Sequence, residues 1–123
     1  MKGRDTTLAR TDTREYILRP EAAEGWFYLS QTPGLEHRRD AYRDWGWRAF
    51  QAINKQLRVA HGHASMRDVR RTGGGNVLDR MESFWIAETL KYFYLLQEDE
   101  PSLPLDKYVF NTEAHAFSIE DAP

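Results

Sequence analysis

The sequence has no cysteine, which removes disulfides and thiolate metal sites from consideration. It has no apolar run near the ~20 residues that a membrane helix needs. The opening Met1-Lys2-Gly3-Arg4-Asp5 is basic without an apolar stretch behind it, so no secretory signal is visible. Positive charge is not in excess. Lys and Arg number 17 against 19 Asp and Glu, and the isoelectric point lies near 6.1, which argues against a general polyanion binder such as a nucleic-acid protein. Gly73-Gly74-Gly75 lacks the lysine and serine of a phosphate-binding loop, and no serine sits in a nucleophile motif.

What the chain does have is aromatic residues: four Trp, six Tyr and six Phe in 123 residues. One domain or less fits that length. Residues 1–13 are polar and lack periodicity, and read as a loose arm. A first helix is predicted over residues 20–31, opened by Pro20 and by Glu21 and Glu24, which complement the positive helix end. A second is predicted over residues 36–61, where Tyr42, Trp45, Ala49, Phe50, Ile53 and Leu57 form one stripe. Gly46 inside that stripe implies a close helix approach. Residues 62–78 read as a loop. A third helix is predicted over residues 79–97, with Asp79 as N-cap and Glu82 completing a capping box. Residues 108–117 read as a hairpin with Asn111-Thr112-Glu113 at its tip. Adjacent aromatic pairs such as Trp26-Phe27 and Phe84-Trp85 point about 100° apart on a helix. Such helices expect neighbours on two faces, which marks the chain as a piece of something larger.

Several residues have the makings of chemistry. Glu21 and Glu24, three apart, share a helix face. Paired carboxylates with aromatic neighbours suit sugar hydrolysis, although acids at helix starts are also ordinary. Glu88 lies in an aromatic stripe, where a carboxylate needs a partner, water or a metal; a salt bridge to an arginine would also serve. The hairpin tip offers the hard oxygens that calcium takes, but too few to bind it alone. His61 and His63 lack a third ligand and read as loop residues.

Four motifs converge. They are Tyr16-Ile17-Leu18-Arg19-Pro20-Glu21, Asp44-Trp45-Gly46-Trp47, the run from Met81 to Tyr92 (MESFWIAETLKY), and the run from Leu105 to His115 (LDKYVFNTEAH). In this order and spacing, from Tyr16 to Ile119, the chain resembles the class I α-1,2-mannosidases of glycoside hydrolase family 47. The resemblance implies a mostly α fold: the C-terminal portion of an (αα)7 barrel, with two to three long helices and a C-terminal β-hairpin over residues 14–123. It implies calcium-dependent, inverting removal of α-1,2-linked mannose from high-mannose N-glycans. Glu21 matches the general base and Thr112 the calcium ligand. Arg19, Glu24, Phe84, Glu88 and Glu113 match positions lining the sugar and calcium site. The family's general acid lies earlier in its domain and has no counterpart here. The resemblance therefore implies a chain missing the N-terminal part of the barrel and inactive alone, with a non-catalytic fragment binding a glycan or glycoprotein as the alternative. The implied compartment is the endoplasmic reticulum or Golgi lumen, or the outside of the cell.

Overall fold

A computed structural model describes residues 14–71 and 73–119. The predicted arm over residues 1–13 lies outside the described residues. Helix α1 spans Glu21–Ser30 and helix α2 Arg39–Leu57, preceded by a 3-10 turn at Glu36–Arg38. Strands β1 (Arg58–Val59) and β2 (Gly62–His63) form a tight antiparallel pair, as do β3 (Ser65–Met66) and β4 (Val77–Leu78). A π-helical turn at Trp85–Leu90 runs into helix α3 (Lys91–Gln97). Strands β5 (Tyr108–Phe110) and β6 (Ala116–Ser118) close the chain, in the register Tyr108↔Ser118 and Phe110↔Ala116.

Helix α1 forms where the acids predict it, with Glu21 and Glu24 in its first turn and Ala23, Phe27 and Ser30 buried along one stripe. Ser30 and Thr32 hydroxyls donate to the Phe27 and Tyr28 carbonyls and so satisfy the end of the helix. Helix α2 buries Tyr42, Gly46 and Leu57. A Cβ at Gly46 would run into the Leu96 side chain, so the predicted close approach is real, and it is made with α3. Arg43 ties that seam by donating to the Gln97 carbonyl at 2.9 Å, and Gln97 Nε2 donates back to the Arg43 carbonyl at 2.9 Å.

Two predicted helix limits are corrected. Helix α2 ends at Leu57 rather than 61, because Arg58 turns extended and Gly62, at φ +142°, folds the chain back on Val59. The third helix does not start at Asp79. Residues 77–80 are held by a distant segment instead: Val77 and Leu78 pair with β3, and Arg80 O accepts from both Ser65 N (2.9 Å) and Ser65 Oγ (3.0 Å). Glu82, expected in a capping box, pairs with Arg80 at 2.8 Å. Residues 62–78, expected as plain loop, therefore contribute to two small ladders.

The core gathers Leu18, Ala23, Phe27, Leu57, Trp85, Tyr92, Phe93, Leu95 and Ala114. Phe27 is its hub. Its ring lies 5.5 Å from both Tyr92 and Phe110, edge-on to Phe110. That contact seats the closing hairpin on α1 and α3, and aromatic pairs of this kind add about 0.5–1.5 kcal/mol beyond the area they bury.

Candidate active site

Three separated segments meet on one face. The first is the turn leading into α1. Leu18 is fully buried and left-handed, at φ +67°, a conformation that costs a leucine about 1–2 kcal/mol. It is held by Thr89, whose hydroxyl donates to the Leu18 carbonyl at 2.6 Å. Arg19 follows, with its guanidinium carbon 5.6 Å from the Phe84 ring centre and Nη1 3.6 Å from Glu21 Oε1. Both partners of that ion pair are exposed, so it adds little stability. Glu21 stands at the open start of α1. Burial first, and then the Glu21 charge, push the Tyr16 phenol up to about 12.

The second segment is the π-helical turn. Phe84 comes just before it and is half-buried. Glu88 is buried within it, 8% exposed. No donor among the described residues reaches the Glu88 carboxylate, and no fully enclosed side-chain oxygen there is left without a partner. Its oxygens therefore open toward solvent. Burial raises the Glu88 pKa above its ordinary 4.5, and the charges of Glu113, Glu24 and Glu21 raise it further, in that order, while Lys91 opposes them. Among the described residues, the salt bridge to an arginine considered from the sequence is not formed. Glu24 is half-buried, and the Tyr92 hydroxyl donates to it over a long 3.5 Å. Burial, then the nearby Glu24 charge, raises the pKa of both Tyr92 and Tyr28.

The third segment is the hairpin tip. Asn111 Oδ1 accepts from the backbone N–H of Glu113 (3.0 Å) and His115 (2.9 Å), and Ala114 N donates to the Asn111 carbonyl at 3.0 Å. This closes a tight turn that leaves Thr112 and Glu113 exposed. Ala114 is buried and left-handed at φ +56°, and its carbonyl accepts from Lys91 Nζ at 2.6 Å.

The sequence-predicted carboxylates thus come together: Glu21 and Glu24 from α1, Glu88 from the π turn and Glu113 from the tip. Arg19 and Phe84 form a contact at the edge of the same face, and Thr112 stands beside Glu113. His61 and His63 stay apart from it. His63 leans on Trp85, with ring centres 4.8 Å apart, and its Nε2 is 3.2 Å from Asn54 Oδ1. An apolar groove of about 360 Å³ between α2 and α3, lined by Gly46, Trp47, Phe50 and Tyr94 among others, is also separate.

Residues 2–119 match the sequence profile of glycosyl hydrolase family 47. The chain belongs to that family. It is 47% identical to mannosyl-oligosaccharide alpha-1,2-mannosidase IA of Drosophila melanogaster, over 92% of this chain and 16% of that protein. It is 42% identical to the human endoplasmic reticulum mannosyl-oligosaccharide 1,2-alpha-mannosidase, over 95% of this chain and 16% of that one. The solved alpha-1,2-mannosidase from Trichoderma reesei superposes with a TM-score of 0.76 at 40% identity, covering 87% of this chain and 22% of that structure. The family 47 chain thus spans about a fifth of the relatives it matches, and folds as a mostly helical portion of the (αα)7 barrel.

Sequence reasoning left three residues of this face without a role. Thr89, Lys91 and Ala114 all lie inside the quoted motifs, but nothing in their chemical types marks them. Their part emerges only from the bonds to two left-handed carbonyls.

Proposed function

We propose that this chain supplies part of the active site of a calcium-dependent, inverting α-1,2-mannosidase that acts on high-mannose N-glycans in the lumen of the secretory pathway. The observation that carries the reading is the setting of Glu88, a carboxylate only 8% exposed that receives no donor among the described residues and lies near carboxylates of two other segments. Such a group is either protonated or kept charged by water, donors or a positive charge beside it, and Lys91 supplies only part of that charge. Hard oxygens at an open face suit a divalent cation held largely through water. No three His, Asp or Glu side chains among the described residues group closely enough to bind a metal directly, so the carboxylates suit contact through water, with Thr112 offering its hydroxyl and carbonyl. Calcium bound there would supply the offsetting charge and a rigid centre for sugar hydroxyls.

In this reading Glu21 takes a proton from the attacking water. Its exposed position at the start of α1 leaves room for that water, and inverting carboxylates stand roughly 6.5–9.5 Å apart for the same reason. Phe84 offers an apolar ring face to the sugar, with Arg19 holding its edge. Glu24, Glu88 and Glu113 orient hydroxyls and water. The partner acid has no counterpart in the segments that carry the family motifs, so the 123-residue chain by itself hydrolyses little.

The test is a graft. Residues 14–119 replace the matching portion of the Trichoderma reesei mannosidase, and mannose release from an α-1,2-linked mannobiose is measured. The graft should be active and should stop when calcium is chelated. Glu21→Gln should lower its rate by about 10²–10⁴-fold, as loss of a general base does. A folded but inactive graft overturns the reading. Calcium-dependent mannose release by the 123-residue chain overturns its predicted inactivity. The second reading, a glycan-binding piece without catalysis, draws on the Arg19–Phe84 contact, which needs no acid partner. Glycan binding by the chain that survives Glu21→Gln, with an inactive graft, would favour it.

A further inference from the structure

Two non-glycine residues of the described chain have left-handed backbone, and each adjoins a segment of the acid face. Leu18 directly precedes Arg19-Pro20-Glu21, and Ala114 directly follows Thr112-Glu113. Both are sealed in the core. In each case the carbonyl accepts a 2.6 Å hydrogen bond from the helix that carries Glu88: Thr89 Oγ1 reaches Leu18, and Lys91 Nζ reaches Ala114. A left-handed non-glycine residue competes with its own right-handed conformer, and a donor fixed on a helix selects between them. The tip's internal bonds run from Asn111 and set its shape. The Phe27–Phe110 contact seats the strands of the hairpin, and the Lys91 bond ties its tip to the helix.

We propose that Thr89 and Lys91 are positioning residues. Thr89 fixes the segment bearing Arg19 and Glu21, and Lys91 fixes the tip bearing Thr112 and Glu113, so that two loops distant in sequence are held against Glu88 by one helix. The calcium side of this inference rests on the mannosidase reading; the geometric side does not. Charge and position make opposite demands at Lys91. Removing a cation from beside a carboxylate cluster tightens calcium binding if charge alone acts, and weakens it if the tip loses its place.

The test uses the whole 123-residue chain, with nuclear magnetic resonance for backbone geometry and calorimetric titration with calcium chloride. Lys91→Met should move the Ala114 Cα and Cβ shifts away from left-handed values and leave Leu18 in place. Thr89→Val should do the reverse. Lys91→Arg and Thr89→Ser should restore the parent patterns, and Lys91→Gln repeats the test with a polar side chain. Lys91→Met should weaken calcium binding by about 10–100-fold, the usual loss when a residue supporting a metal ligand is removed. Unmoved Ala114 shifts, or calcium binding that is unchanged or tighter in Lys91→Met, overturns the role of Lys91. Leu18 and Ala114 shifting together in every variant indicates general loosening and overturns both roles. A parent chain that shows the separate shifts but binds no calcium upholds the positioning, and the calcium reading is then decided by the chelation arm of the graft.

Discussion

At the Asp68 turn, a carboxylate receives three contacts from Arg70: backbone N–H at 3.0 Å, Nε at 3.1 Å and Nη2 at 3.0 Å. Those bonds hold the Asp68 pKa down at about 2. Asn76 completes the turn by accepting from Asp68 N (3.1 Å) and donating to the Asp68 and Arg71 carbonyls at 2.8 and 2.7 Å. On the acid face, Glu88 receives no such donor and is pressed by three other carboxylates. The Asp68 turn hangs on short strands, whereas the acid face is carried by α1, the π-helical turn and the hairpin tip. The Asp68 turn spends its polar groups on its own geometry. The acid face spends few of them, in the long Arg19–Glu21 and Tyr92–Glu24 contacts, and takes its geometry from bonds made behind it, through Thr89, Lys91 and Asn111. A region whose charges satisfy one another is finished.

The largest expected effect breaks both regions at once. Phe27→Ala removes the ring under the hairpin and should cost about 3–5 kcal/mol in urea denaturation, as large buried aromatics do. Next comes the self-satisfied region. Asn76→Ala deletes three hydrogen bonds of the Asp68 turn and should cost about 1–2 kcal/mol, since partly buried backbone groups lose their partner. On the acid face, Arg19→Ala removes an exposed ion pair and a ring contact, and should cost only about 0.5–1 kcal/mol in the same measurement. A loss as large as that of Asn76→Ala would erase the distinction.

The sharpest comparison is in sign rather than size. The Asp68 pKa is depressed in the folded chain, so its contribution is present above about 3.8 and is lost as pH falls through about 2. Glu88 is the reverse. Its folded pKa is raised, so the folded chain holds the proton more tightly than the unfolded one, and stability rises as pH falls from the folded value toward 4.5. Glu88→Gln should therefore stabilise the calcium-free chain at neutral pH and flatten its pH dependence above 4.5. Asp68→Asn should destabilise it at neutral pH and flatten the dependence below 3.8. Denaturation midpoints followed from pH 2 to 7 check both. Parallel slopes for the two variants would sink the comparison.

Much of this was legible in the residues. The acids at the start of α1, the glycine at the α2–α3 seam and the closing hairpin all follow from local chemistry, and the structure bears them out. It bears out the stripe of α2 as well, except that Trp45 is 40% exposed and packs against Trp26 and Tyr42 rather than in the core. The nearness of Glu21, Glu24 and Glu113 to Glu88 was implied only by the family resemblance, since no local pattern joins three such distant segments. What escaped was decided at a distance. Asp79 and Glu82 form a good local helix start, but pairing of Val77 and Leu78 with Ser65 and Met66 outweighs it. The end of α2 turns on Gly62, five residues past Leu57, the last buried position of the stripe. The Lys91 bond to the Ala114 carbonyl spans 23 residues, and no local pattern marks it.

The widened turn at Trp85–Leu90 has a consequence for how this part of the molecule tolerates change. It sets the phase between the Glu88-bearing half of the helix, which faces the two loops, and the half from Tyr92 to Leu96, which faces the core and α2. Adding or removing one residue there would rotate one half against the other by about 100°. Thr89 would leave the Leu18 carbonyl while Leu96 left its seat over Gly46. Substitutions in this segment act one contact at a time, whereas a change of length would dismantle the face and the seam together.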